Sequence, residues 1–309
     1  MKAVALVGAL ALVLASCGSV DTAARTTTVD HATTSTTQRT TTSATTNSAT
    51  TASNSTTTEP FAGPYDAIVY MLHDSGGSPT RTGPFLAPVS RNEASLEDTV
   101  LALLNGLTPS EIDLGITTAI PQGTDLNDVE VTDGVATVDL SSVFDGGGGT
   151  VSMRARLAQL VYTVTGYDPE ITGVRLELDG TPVEVSAGEG PLEHVPMTPE
   201  SFEDLLPGIL IESPAFDDWA PPPVTITGIA TAAEGVFQLE ILDSDGNMVA
   251  AVPVQIGKGP GWRRFSVTFE ASDLPPMPAT LQIRVYEPSA KDGSVIYERI
   301  QPFGYRMNP

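Results

Sequence analysis

The sequence predicts an α+β domain, with a mostly antiparallel sheet and two helices, followed by an all-β sandwich. Three observations carry this reading. In the first half, two stripes of apolar residues at helical spacing stand among strand-like runs. In the second half, seven short alternating runs occupy the chain from Ile209 to Gln301 with no helical stripe between them. Between the halves, Thr198-Pro199-Glu200 opens a short helix that Pro207-Gly208 stops, which marks a boundary. The organisation that follows is a leader over 1–16, a Thr/Ser-rich tether over 17–62, the α+β domain over 63–195, a linker with a short helix over 196–208, and the sandwich over 209–309. Each half has its own apolar faces and turns, so each is expected to fold by itself when the chain is divided in the linker.

The α+β elements follow in order. Asp66–Leu72 and Phe85–Arg91 read as strands. Ser95 caps a first helix, with Asp98 three residues on and Gly106 as the stop. Leu96, Val100, Leu103, Leu104 and Leu107 share one face of it and form core. Val129–Thr132 and Val135–Leu140 flank Asp133-Gly134, a hairpin signal because that turn needs positive φ. The second helix spans about Val151 to Thr165, with Leu157, Leu160, Val161 and Val164 on one side and Gly166 at its end. Val174–Leu178 and Val183–Val185 then surround a second hairpin turn, Asp179-Gly180. Arg154 and Arg156 oppose the dipole near the start of the second helix, which makes them solvated surface cations or candidate contacts for an acidic partner.

The sandwich strands are Ile209–Glu212, Val224–Ala230, Val236–Asp243, Met248–Ile256, Trp262–Glu270, Ala279–Glu287 and Val295–Gln301. Phe237-Leu239-Ile241, Phe265-Val267-Phe269 and Leu281-Ile283-Val285 alternate, which buries one face. Asp243-Ser244-Asp245-Gly246-Asn247 begins like a calcium loop, but Met248 and Val254 fall where an EF-hand needs glycine and glutamate; a hairpin turn fits better.

At the amino terminus, Met1-Lys2 precedes an apolar run over Ala3–Ala15 of signal-peptide length, shorter than a membrane span. It ends in Leu14-Ala15-Ser16-Cys17, which resembles the bacterial lipobox. That resemblance implies cleavage before Cys17, the chain's one cysteine, and lipidation of its thiol. Two or three acyl chains suffice for stable anchoring. The tether, about 40 residues of low complexity, has an r.m.s. reach of roughly 35 Å and a stretched limit of about 140 Å. The expected location is the outer side of a cell membrane, lipid-anchored.

Two further resemblances concern the domains. Ala87-Pro88-Val89-Ser90-Arg91, Ile120-Pro121-Gln122-Gly123-Thr124 and Leu160-Val161-Tyr162-Thr163-Val164-Thr165, in this order of elements, resemble a GerMN domain, a module named from spore-germination proteins. Ile211-Glu212-Ser213-Pro214, Thr227-Gly228-Ile229-Ala230 and Trp262-Arg263-Arg264-Phe265 resemble the immunoglobulin-like domain of bacterial spore germination. The GerMN resemblance brings no catalytic residues with it.

Composition narrows function mainly by exclusion. The formal net charge is −23. The first 59 residues carry three acidic and three basic side chains (Asp21, Asp30, Glu59; Lys2, Arg25, Arg39), so the whole excess lies from Pro60 onward. That balance repels nucleic-acid phosphates and anionic headgroups. A single cysteine excludes an intramolecular disulfide and a cysteine-rich metal site. His73 and His194 lie far apart and form no zinc motif. Asp74-Ser75-Gly76-Gly77 resembles the surroundings of a chymotrypsin-like nucleophile, but His73 stands where glycine is needed and no histidine–aspartate pair lies upstream in a folded region. Gly146–Gly149 lacks the lysine of a phosphate loop. The reading is a non-enzymatic envelope protein without a cofactor, whose modules bind envelope protein partners. The alternative is binding of wall glycan, with Trp219, Trp262, Arg263 and Arg264 available for stacking, or, further off, a carboxylate-based glycan hydrolase.

Overall fold

The computed structural model describes residues 67–183, 185–186, 190–191, 196–232, 234–289 and 291–307, all within one compact unit. The elements of the first domain are β1 (Ala67–His73), β2 (Phe85–Arg91), α1 (Leu96–Leu104), α2 (Pro109–Asp113), β3 (Leu126–Thr132), β4 (Val135–Leu140), α3 (Thr150–Tyr167), β5 (Gly173–Leu178) and β6 (Thr181–Pro182). A two-stranded pair, β7 (Val185–Ser186) and β8 (Gly190–Pro191), follows.

The expected single sheet is two separate ones: an antiparallel pair β1–β2, and a four-stranded sheet in the order β3-β4-β5-β6. β4 and β5 run parallel because the 18-residue α3 carries the chain from the end of one back to the start of the other. Both Asp-Gly turns adopt the left-handed conformation throughout, with φ of 51° and 75° at Asp133-Gly134 and 48° and 74° at Asp179-Gly180. The second hairpin is shorter than the sequence suggests, since β6 holds two residues.

Ser95 caps α1 as expected, its hydroxyl accepting from the Asp98 N–H at 3.0 Å. α2 was not foreseen. Its signature is nonetheless plain: Thr108 and Glu111 form a reciprocal capping box around Pro109. Glu111 is buried and takes Arg91 in a bidentate pair at 2.6 and 3.0 Å, which ties the end of β2 to α2.

α3 is the central element, buried on nearly every side from Met153 to Val164. Three polar residues on it, Arg156, Gln159 and Thr163, are also buried. Two of them finish the edge of β1. The Tyr70 N–H donates to Thr163 Oγ1 at 2.9 Å, and Gln159 Nε2 donates to the Tyr70 carbonyl at 3.1 Å. Backbone groups that would otherwise lie buried and unpaired at a strand edge are satisfied by helix side chains.

The second domain contains β9 (Ile209–Ser213), β10 (Trp219–Ala220), β11 (Val224–Ala230), β12 (Val236–Leu242), β13 (Met248–Gln255), β14 (Arg263–Phe269), β15 (Ala279–Pro288) and β16 (Val295–Tyr305). All seven expected strands are present, and β10 is additional. They form a five-stranded sheet, β10-β16-β15-β12-β13, and a three-stranded sheet, β14-β11-β9. The alternating residues meet inside, with Phe237 and Phe265 edge to face at 5.0 Å. Gly228 sits at a bulge where a Cβ would come within 2.0 Å of the Leu210 carbonyl oxygen, so no larger residue fits there.

The first domain's core does not stop at Pro196. Met197, Phe202, Leu206, Leu210 and Phe216 are buried in it, and Ile229 and Trp262 pack against it. Backbone bonds cross the seam as well: Gly208 N–H to Gly76 O at 3.0 Å, Phe216 N–H to Pro88 O at 3.2 Å, and Tyr297 N–H to Gly77 O at 2.7 Å.

Candidate functional site

Among the residues singled out from sequence, Cys17 and His194 lie outside the described residues. Arg154 and Arg156 are described, and both are engaged within the chain. Arg156 is 3% exposed. Its guanidinium donates to the carbonyls of Ala119, Phe144 and Gly147 at 2.9, 2.6 and 2.7 Å. A planar fork with several donors can gather three loop carbonyls at once, and Arg156 thereby pins the loops after β4 and before β3 onto α3. A buried cation of this kind cannot present itself to a partner, which corrects the expectation for Arg156. Arg154 is half-exposed; it bonds the Ser201 carbonyl, pairs with Asp204 and lies 5.2 Å over the Phe202 ring. It fastens the linker to α3, and its charge is met by Asp204, whose carboxyl Arg154 holds below the usual range against the opposing effect of burial.

The His73–Ser75 segment forms a real pair. His73 Nδ1 accepts both the Ser75 N–H at 3.0 Å and the Ser75 hydroxyl at 2.6 Å. Because a backbone N–H can only donate, Nδ1 is the unprotonated nitrogen. The imidazole also bonds the Leu114 backbone, and burial together with Arg299 pushes its pKa down. Among the described residues no carboxylate is hydrogen-bonded to the ring, and Nδ1 is shared with an amide of the same turn. The arrangement closes a loop and lacks the third member that makes a serine nucleophile.

His73 instead belongs to the seam. Its ring lies 5.4 Å from that of Phe216, and the Arg299 guanidinium sits 4.9 Å over the other ring's centroid. Arg299 is wholly buried, donates from Nη1 to the Leu86 carbonyl at 3.2 Å, and has its pKa lowered to about 9 by desolvation. Sequence reasoning missed Arg299 because it reads as an ordinary charge on the exposed side of an edge-like strand. The alternation across Arg299, Gln301 and Phe303, which points all three inward, is the signal that could have found it.

Of the sugar-stacking candidates, the two tryptophans are engaged within the protein, whereas Arg264 is exposed and pairs with Glu212. Trp219 is 6% exposed under Arg306, and Trp262 packs against the first core. Asp243 Oδ1 accepts the N–H groups of Asp245 and Asn247, which makes the acidic run a hairpin turn. Glu240 and Glu298, the two carboxylates drawn together on the outer face of the five-stranded sheet, are both bonded to Arg284, at 3.0 and 2.7 Å. Paired to one guanidinium on a sheet face, Glu240 and Glu298 do not face each other across a cleft as a glycosidase pair does, although Glu298 also lines the seam cleft. Among the described residues no group of acidic, histidine or cysteine side chains is placed to hold a metal, and no helix is long and apolar enough to cross a membrane.

Two clefts remain. One, of about 580 Å³, lies beside the start of α3 between Thr117–Ala119 and Gly149–Ser152. The other, of about 520 Å³, lies at the seam between the β1–β2 loop and the start of β16.

Fold and seam together define a two-module protein, an α+β domain joined to an immunoglobulin-like sandwich. Residues 68–184 match the family model Germane, described as sporulation and spore germination, and residues 208–294 match Gmad2, the immunoglobulin-like domain of bacterial spore germination. The chain thus carries a GerMN-type domain followed by a germination-type immunoglobulin-like domain. Among solved structures it is similar to the first GerMN domain of the sporulation protein GerM from Bacillus subtilis, at 16% identity over 42% of this chain and 98% of that one, with a TM-score of 0.33. It is also similar to the tandem GerMN domains of the same protein, at 16% identity over 66% of this chain and 61% of that one, with a TM-score of 0.34. No curated protein matches the chain.

Proposed function

We propose that this is a non-enzymatic, lipid-anchored protein of the bacterial envelope whose two modules bind envelope protein partners in a germination-like or cell-wall process. The observation that carries the reading is the pairing itself: two modules of families described by sporulation and germination, packed through a shared core. Such packing presents a continuous surface built from both modules, which suits recognition of a protein. The lipobox-like Leu14-Ala15-Ser16-Cys17 and the long tether suit an anchored position that sets the modules at a distance from the membrane.

Crosslinking in intact cells, followed by purification of the native protein from envelope membranes, is the direct test. The same envelope protein should be recovered on the purified chain. Muropeptide release by the purified chain, abolished by replacing one Asp or Glu, would overturn the reading in favour of an enzyme. The anchor is tested by fractionation: Cys17→Ala should move the protein out of the membrane pellet, and a variant that stays there after a salt wash is not anchored through Cys17.

A further inference from the structure

We infer that the seam cleft is a binding site for a neutral, hydroxyl-rich saccharide of one or two rings. This stands apart from the partner-binding reading, which would survive its failure. The cleft's 520 Å³ falls in the range of small-ligand sites, and domain seams are where such sites concentrate.

Its wall includes Tyr297, the residue that sets it apart from an ordinary groove. Tyr297 has φ of 56°, in the left-handed region that an aromatic residue rarely adopts, at the point where β16 bulges against β15. Two contacts hold it there. Its N–H donates to Gly77 O at 2.7 Å, and its ring lies on Gly208, where an added Cβ would come within 2.3 Å of ring carbons. The fold thus holds Tyr297, half-buried with its ring packed on Gly208 and the sandwich core, in the cleft's wall at the expense of backbone strain.

The polar groups around that ring select the ligand. Asp74 is exposed. Glu298 gives Oε1 to Arg284, which leaves its second oxygen for another donor. Arg81 is anchored through Nη2, which donates to the carbonyls of Glu203, Asp204 and Leu206, while its guanidinium lies 5.1 Å over Phe85. Those bonds use neither Nε nor Nη1. One cation facing two carboxylates gives no net attraction for an anion, and the acidic groups here do not converge as metal ligands. Carboxylate oxygens that accept, a guanidinium that donates and a rigid ring that meets C–H groups match a sugar's alternating hydroxyl and C–H surfaces.

The test is saturation-transfer NMR on the full chain with two probes, the N-acetylglucosamine disaccharide and maltose. Saturable transfer is expected for at least one of them. Tyr297→Gly should weaken it by about tenfold or more; glycine adopts this φ without strain, but the ring also packs on Gly208 and the sandwich core, so the variant's melting is measured beside its binding. Asp74→Asn, at an exposed position, should weaken it without touching the seam, and decides the matter if the glycine variant melts early. No saturable transfer with either sugar, or undiminished binding by both variants, overturns the proposal.

Discussion

Replacing Phe216 by alanine should uncouple the two domains. Phe216 is 2% exposed and lies in the first domain's core, although its chain position is beyond β9 in the second. Its ring is contacted by His73 on one module and by Arg299 on the other, and its N–H bonds Pro88. A buried Phe→Ala change costs about 3–5 kcal/mol from lost transfer and the cavity left behind. Against a total of about 5–15 kcal/mol, that is a large fraction. For a cooperative unit of this size each kcal/mol moves Tm by about 2–4 °C, so a drop of about 10 °C is expected. Calorimetry should show the wild-type chain melting in one transition, with calorimetric and van't Hoff enthalpies equal, and Phe216→Ala splitting it into two. Phe237→Ala, a same-sized deletion confined to the sandwich core, serves as the control; it should lower the transition without a comparable split. Two transitions already present in the wild type, or a Phe216→Ala chain that melts like the wild type, would refute the argument and favour independently folding halves.

Other consequences are testable by the same means. Arg156→Met should destabilise by about 2–4 kcal/mol in urea, because three carbonyls lose a charged donor, and Arg156→Lys should not restore it. Glu111→Ala should cost about 3–5 kcal/mol by leaving Arg91 partly buried without its carboxylate, while replacing both by apolar residues should cost less. His73 has its pKa lowered in the folded state, so its contribution is fully present above the unfolded value of about 6.5 and is lost as pH falls below it. The difference in unfolding free energy between wild type and His73→Gln should therefore shrink from pH 7.5 to pH 5. Half-buried Glu212 and buried Asp218, whose pKa values are raised by desolvation, act in the opposite sense and cancel in that difference. An unchanged difference across that range would mean that the imidazole does not titrate against the seam.

Much of the fold was legible because it rests on local rules. The Asp-Gly turns, the Ser95 cap and the alternation of Phe265-Val267-Phe269 each announce a geometry within a few residues. The parallel β4–β5 ladder was not legible in the same way, since strand direction follows from where α3 returns the chain. The arginines show the limit most clearly. Local reasoning sees Arg154, Arg156 and Arg299 as charges to be solvated, whereas loop carbonyls, Asp204 and Leu86, some of them far away in sequence, decide where each one goes. The strain at Tyr297 is invisible for a related reason: nothing in Val295-Ile296-Tyr297-Glu298 marks a bulge, and the partner that stabilises it is Gly77 on the other domain.

β16 constrains the order in which the molecule can assemble. In the five-stranded sheet it lies between β10 and β15, and it pairs in parallel with Trp219–Ala220, far earlier in the chain. The same strand brings Arg299 to Leu86 and the Tyr297 amide to Gly77. As the chain emerges, β1, β2 and the helices can find one another early, but Phe216 has no cation to cover it and β10 has no neighbour until residue 305 has appeared. Until then β15 keeps an unpaired backbone edge and the Phe216 ring lacks the guanidinium that covers it, the state in which such chains are most exposed to chaperones and proteases. β16 therefore acts as a closing pin: deleting Val295–Tyr305 should loosen the seam as well as the five-stranded sheet.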